Sequence, residues 1–185
     1  MVEDVIKTAI AAYENIFPNE ASAIERLKAH FEDENTAILV RSNMRGHITT
    51  SMAVLSNDWK SILLIKHRAY GLWLQPGGHF EDGNSLIHSA IRELKEETGV
   101  EDITLLSVVP IDIDTHPIAS RPEKNEGDHF HYDFTYLAVA NGEVELVGQE
   151  EEVDDVQWVP IAELKDRGGH LGRIIQKVES FYGTD

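Results

Sequence analysis

Cysteine is absent from the 185 residues, which excludes disulfides, thiolate zinc sites and a cysteine nucleophile. Basic residues are scarce. Sixteen Lys and Arg face 33 Asp and Glu, giving a formal net charge of −17. Nucleic-acid backbones and anionic membrane surfaces are bound through basic patches, so this field argues against both as partners. No apolar run approaches the roughly 20 residues that a spanning helix needs. The opening Met1-Val2-Glu3-Asp4 is acidic where a signal peptide is basic. These absences predict a cytoplasmic protein that meets its partners in water.

What is present fits one main core: 42% hydrophobic and 26% charged residues is a globular balance at this length. Ile6, Ala9, Ile10, Tyr13, Ile16 and Phe17 recur at helical spacing until Pro18-Asn19, and Ile24, Leu27 and Phe31 predict a second helix. Strand texture follows at 37–40, 47–55 and 61–67, with Ser56-Asn57-Asp58 as a hairpin turn. Gln75-Pro76-Gly77-Gly78 precedes a strong helix over 85–98, and Gly99 stands where a C-cap glycine belongs. Further strands are predicted near 105–114, 131–140 and 143–147, then short helices near 161–165 and 171–181. Helices and strands interleave without a steady βαβ rhythm, which points to α+β with a mixed sheet.

The helix over 85–98 carries the chemistry. Leu86, Ile87, Ala90, Ile91 and Leu94 form its apolar stripe, while Glu93, Glu96 and Glu97 fall at i, i+3 and i+4 on another face. Like charges so placed disfavour a helix unless a hard cation, which takes oxygen ligands, reverses the sign. Three glutamates alone are most often a solvated face. Their surroundings decide otherwise: the stretch GGHFEDGNSLIHSAIRELKEETGV, from Gly77 to Val100, resembles the Nudix box G-x5-E-x7-R-E-U-x-E-E-x-G-U, where U is aliphatic. Gly78, Arg92-Glu93-Leu94, Glu96-Glu97 and Gly99-Val100 match it. Asn84 stands where the box has its first glutamate, and an amide there can cap the helix that begins at Ser85.

The resemblance implies a Nudix-type α/β/α sandwich with a mixed sheet over 37–185, preceded by an N-terminal helical extension over 1–36. It further implies hydrolysis of a phosphoanhydride in a nucleoside diphosphate linked to another group X. Glu93, Glu96, Glu97 and the Gly78 carbonyl become ligands for Mg²⁺, with Mn²⁺ as the alternative. Arg92 would orient the glutamates. Glu93 is one choice of catalytic base; Glu150, Glu151 and Glu152, before Trp158, supply the other, with Glu151 and Glu152 carried forward as catalytic residues. His79, next to Gly78, is expected to approach phosphate, and Arg68 and Lys66 to form a local basic pocket. Asp112, Asp114 and His116 alternate on one strand, and His129, His131 and Asp133 on another. If those strands pair, the shared face can contact substrate, His131 included, or bind a transition metal through imidazole.

The partner is then a small phosphorylated compound. The N-terminal helices are placed to cover the site, to make a homodimer contact or to pack on the sandwich. A Nudix-fold ligand-binding sensor with weakened catalysis is the alternative function, with Asn84 its one support. Isopentenyl diphosphate isomerase chemistry ranks low because that isomerase typically uses a cysteine.

Overall fold

The computed structural model describes residues 2–81, 85–122, 125–149, 151–164 and 168–183. The chain opens with α1 (Val2–Ile16), a 3-10 segment (Pro18–Ile24), α2 (Glu25–Glu34) and a second 3-10 segment (Asn35–Leu39). The strands β1 (His47–Ser56), β2 (Ser61–His67), β3 (Leu72–Leu74) and β4 (Gly77–His79) lead to α3 (Leu86–Thr98). Strands β5 (Ile103–Leu105), β6 (Asp112–Ile118), β7 (His129–Ala140) and β8 (Val153–Pro160) follow, and α4 (Gly169–Tyr182) closes the described chain. This is the mixed-sheet α+β architecture with N-terminal helices that the sequence predicts. Among the described residues no helix is long and apolar enough to cross a membrane.

The centre is the parallel pair β1 and β7, in register from His47 opposite His131 to Ser56 opposite Ala140. Strand β4 joins β1 antiparallel along Thr49–Ser51, β6 joins β7 antiparallel, and β2 carries β3 and β8. Alternation along β1 and β7 divides the molecule. Ile48, Met52 and Val54, with Tyr132, Phe134, Tyr136 and Ala138, share one core with Ile6, Ile10 and Tyr13 of α1, Leu27 and Phe31 of α2, and Leu86, Ala90 and Leu94 of α3. On the other face Ala53, Leu55 and Leu137 pack with Leu171, Ile174, Ile175 and Val178 of α4. That second face turns polar toward the start of both strands, where Thr49, Ser51, His131 and Asp133 line a cavity.

Helix α3 is bounded as its sequence dictates. The Ser85 hydroxyl accepts from the His88 N–H at 3.2 Å, and Gly99, at φ 73°, takes the left-handed C-cap position. The cap is therefore Ser85; Asn84 and Glu150 lie outside the described residues. Three strand expectations need correction. Residues 37–39 belong to a 3-10 segment instead, with Val40 as its extended C-cap whose N–H bonds to the Ala37 carbonyl. Residues 105–114 are not continuous: the chain leaves β5 at Leu105 and enters β6 at Asp112. Residues 143–147 form no strand; Val144 and Leu146 pack on the core, and the Val147 N–H bonds to the Thr98 carbonyl at the end of α3. Their alternation reflects packing, not a ladder.

Candidate active site

Two carboxylates of α3 are buried against β4. Glu97 is 1% exposed, and its Oε2 accepts the Gly77 N–H at 2.8 Å. Glu93 is 8% exposed and lies against Gly78, where a Cβ would overlap its carboxylate. Glycine at 78 lets that carboxylate rest directly on the backbone, where any side chain would displace it. At Gly77 a Cβ would meet the Thr50 carbonyl at 2.7 Å, so β4 sits tightly on β1. Arg92 fastens the rim, donating to Glu93 Oε1 at 2.6 Å, Glu96 Oε2 at 2.6 Å and the His79 carbonyl at 3.1 Å.

Burial pushes the Glu93 carboxyl up to about 7 despite the Arg92 guanidinium, and pushes Glu97 up to about 8 despite the Gly77 N–H. Repulsion among the neighbouring acids, Glu152 included, adds to both rises. Glu97, removed from water and compensated by a backbone N–H rather than by a cation, beside a Glu93 only partly offset by Arg92, suits a dication held by oxygen. The donor set present (two buried carboxylates with an open glycine backbone beside them) fits Mg²⁺. Glu96 stands apart, with its side chain 46% exposed and turned to Arg92.

A cavity of about 650 Å³ opens beside Gly77 and Gly78, within the size range of small-molecule sites. Glu151 and Glu152 line it from the turn before β8, and Arg68, His79 and His131 from other sides. Arg68 pairs with Asp154 at 2.7 Å. Lys66 is not among the lining residues; it sits one step back on β2, opposite Trp73 and Asp155. The two alternating trios do come together, because β6 pairs with β7 so that Asp114 faces Asp133 and His116 faces His131.

Four groups escaped the sequence reading. His170, at the start of α4, lies 2.8 Å from Asp112 and 3.1 Å from the Thr135 hydroxyl. Arg41 and Arg121 line the cavity, Arg41 paired with Glu126 at 2.9 Å and Arg121 over the Tyr70 ring at 4.6 Å. His47 packs behind the cavity wall, its ring 4.8 Å from those of His129 and His131. A histidine opening a strand, as His47 does, is a weak local signal, and its neighbours come from β4 and β7. Burial pulls His79 down to about 3 and His131 to about 2, so these imidazoles are neutral near pH 7.

A NUDIX domain family profile matches residues 46–177. A probable DHNTP pyrophosphohydrolase of Lactococcus lactis is 31% identical over 127 residues, covering 69% of this chain and 70% of that protein. A putative mutator protein of Mycobacterium tuberculosis is 35% identical over 103 residues, 56% of this chain; the alignment spans 38% of that protein's length. Among solved structures, a Caenorhabditis elegans Ap4A hydrolase superposes with a TM-score of 0.57 at 18% identity, covering 74% of this chain and 97% of that one, which speaks for a shared fold. With the profile spanning most of the chain and carrying the glycine strand and glutamate helix just described, this protein belongs to the NUDIX domain family.

Proposed function

We propose that the chain is a pyrophosphohydrolase that uses a divalent metal to cleave the phosphoanhydride of a nucleoside diphosphate linked to another group. The observation that carries this reading is the buried pair Glu93 and Glu97, set against Gly77-Gly78 beside a cavity of small-molecule size. Mg²⁺, or Mn²⁺ in its place, supplies charge neutralisation at phosphate oxygens and a more acidic water when bound. Glu93, Glu97 and the Gly78 carbonyl are the groups that would hold it; Glu96, paired with Arg92, would join them only by leaving that pair. Arg92 fixes the Glu93 carboxylate through a short charge-assisted bond and so sets its direction.

Proton acceptance falls to an acid that faces the cavity. Glu151 and Glu152 meet that condition, and Glu93 is the competing choice. His79, His131 and Arg68 line the space a substrate would fill, and Lys66 adds charge behind it. The partner is a small phosphorylated molecule; a chain of net charge −17 has little to offer a nucleic-acid backbone or an anionic membrane. In this reading residues 1–36 are an extension on a catalytic unit of 37–185, tied down where Lys177 donates to the Tyr13 hydroxyl at 2.9 Å and to Glu20 at 2.8 Å. The test is a panel of oxidised nucleoside triphosphates, dinucleoside polyphosphates, ADP-ribose and coenzyme A, assayed with Mg²⁺ and with Mn²⁺ and followed by product identification. Turnover that requires metal and breaks a phosphate–phosphate bond is the expected result; no turnover of any compound would overturn the reading.

A further inference from the structure

The richest group of unspent ligand atoms lies away from the α3 glutamates. The β1–β7 register sets His47 beside His131, and the β1–β4 register sets Thr49 beside His79, so three strands deliver three histidines to one spot. One ligand nitrogen from each lies within 4.8 Å of the others. His47 is 1% exposed, and its Nε2 is buried with no hydrogen-bond partner among the described residues. Its Nδ1 lies 3.2 Å from the Asn43 carbonyl. A carbonyl oxygen only accepts, so Nδ1 carries the proton and Nε2 presents a lone pair.

His129 repeats the arrangement. Its Nδ1 donates to the Gly127 carbonyl at 2.7 Å, which leaves its Nε2 as a lone pair 3.2 Å from His131 Nε2. A backbone carbonyl that fixes the tautomer at Nδ1 and frees Nε2 is the support a metal-bound imidazole receives. A histidine buried for packing would normally have its polar nitrogens satisfied, and His47 does not.

We propose that His47, His79 and His131 form a second metal site, one that takes a divalent transition ion such as Zn²⁺ through neutral imidazoles, with His129 supporting it. Imidazole suits zinc, copper and nickel, whereas Mg²⁺ prefers oxygen, so the site is chemically distinct from the one on α3. Tetrahedral bonds of about 2.0–2.1 Å put ligand nitrogens roughly 3.3 Å apart, so the trio must close by at most about 1.5 Å. His79 and His131 line the cavity while His47 seals the back, so a fourth coordination position would open toward bound substrate or water. The nearby Arg41 and Glu126 pair with each other at 2.9 Å and add no net charge against the ion.

Among the described residues the other cluster with suitable spacing, Asp112, Asp114 and His170, is already neutralised by Arg173 and Lys177. The proposed site stands independently of the hydrolytic reading.

The test uses the full chain stripped with a chelator. Zn²⁺ is titrated in competition with a chromophoric chelator, and Co²⁺ is added separately to read the visible absorption of tetrahedral nitrogen ligation. One equivalent should bind to the wild type with the tetrahedral nitrogen spectrum in the Co²⁺ form, separate from any binding at the α3 carboxylates. His131→Ala and His79→Gln should each weaken binding by at least about tenfold, the scale of losing even a supporting group. The partly exposed His79 keeps the test valid if His131→Ala does not fold, and circular dichroism checks both. Glu97→Gln should leave the tetrahedral Co²⁺ spectrum, and the Zn²⁺ affinity of the equivalent that displaces it, unchanged. Wild-type affinity in folded histidine variants, loss of that spectrum in Glu97→Gln, or no stoichiometric binding by the wild type would each overturn the proposal.

Discussion

The Gly77 N–H donates to Glu97 Oε2 at 2.8 Å, joining β4 to the last turn of α3 and holding a carboxylate where almost no water reaches it. With no cation present, ionising that group costs stability. A folded value near 8, raised from 4.5 by burial, means the cost appears as pH rises above 4.5. Glu97→Gln keeps the shape and removes the charge. In chelator at pH 8 the variant should melt higher than the wild type, by about 2–4 °C for each kcal/mol removed. Calorimetric titration with Mn²⁺ should show the opposite sign, with weaker binding in the variant. Equal melting and equal Mn²⁺ affinity would count against Glu97 as a ligand.

Neighbouring glycines should respond differently to the same added methyl group. At Gly77 the new Cβ meets the backbone of Thr50 and Ser51, which cannot swing away. Overpacking of this kind costs about 1–3 kcal/mol, so Gly77→Ala should lose that much in urea denaturation. At Gly78 the obstacle is the Glu93 carboxylate, the end of a flexible side chain. Gly78→Ala should therefore stay close to wild-type stability while losing metal affinity and turnover. Identical behaviour of the two variants would contradict the packing described for β4.

These contrasts bear on what local pattern can reveal. Helix α3 was legible because its apolar stripe, Ser85 and Gly99 all lie within one continuous segment. The bounds of β2, Ser61–His67, follow from the turn before it and the run of Ile62, Leu63, Leu64 and Ile65. The histidine cluster was only half visible. Alternation placed His129 and His131 on one face, but His47 reaches them through parallel pairing between strands far apart in sequence, whose register no local pattern encodes. Val144 and Leu146 show the converse error, since alternate packing on the core mimics the period of a strand. Helical spacing likewise grouped Glu96 with Glu93 and Glu97, yet Arg92 turns Glu96 outward.

Acid and alkali should weaken the fold through one buried network. Burial would raise Asp112, but the His170 hydrogen bond and Lys177 hold its carboxyl far below its ordinary 3.8. Burial would lower His170, and its bond to Asp112 more than offsets that, raising it above 6.5. The depressed carboxyl gives stability present above pH 3.8 and lost as pH falls through its folded value. The raised imidazole gives stability complete below pH 6.5 and lost as pH rises through its folded value. Both contributions are therefore present from about pH 4 to 6.5. Asp112→Asn strands buried cationic partners and should cost about 3–5 kcal/mol at pH 5.5, with a smaller difference well above the His170 transition. Urea denaturation across pH checks this. A penalty independent of pH would mean that packing rather than charge holds Asp112.

Water, rather than a side chain, should attack phosphorus. The chain has no cysteine, and the groups around Gly78 are carboxylates suited to a cation and to proton acceptance. Arg92 donates to Glu93 Oε1 at 2.6 Å, which orients the carboxylate toward a cation rather than toward phosphorus. Glu93→Gln should then reduce turnover by about a hundredfold or more, the scale of a positioned base or ligand, while the variant remains folded. Hydrolysis of the best panel substrate in ¹⁸O-labelled water, with enzyme in excess over substrate, distinguishes direct attack from a covalent route resolved at the carboxyl carbon. Direct attack puts label on one phosphate product in the first turnover. A glutamyl-phosphate route resolved by attack of water on the carboxyl carbon would give unlabelled product in the first cycle, with ¹⁸O retained in the protein carboxylate and released only later. Unlabelled first-turnover product would therefore sink the direct mechanism.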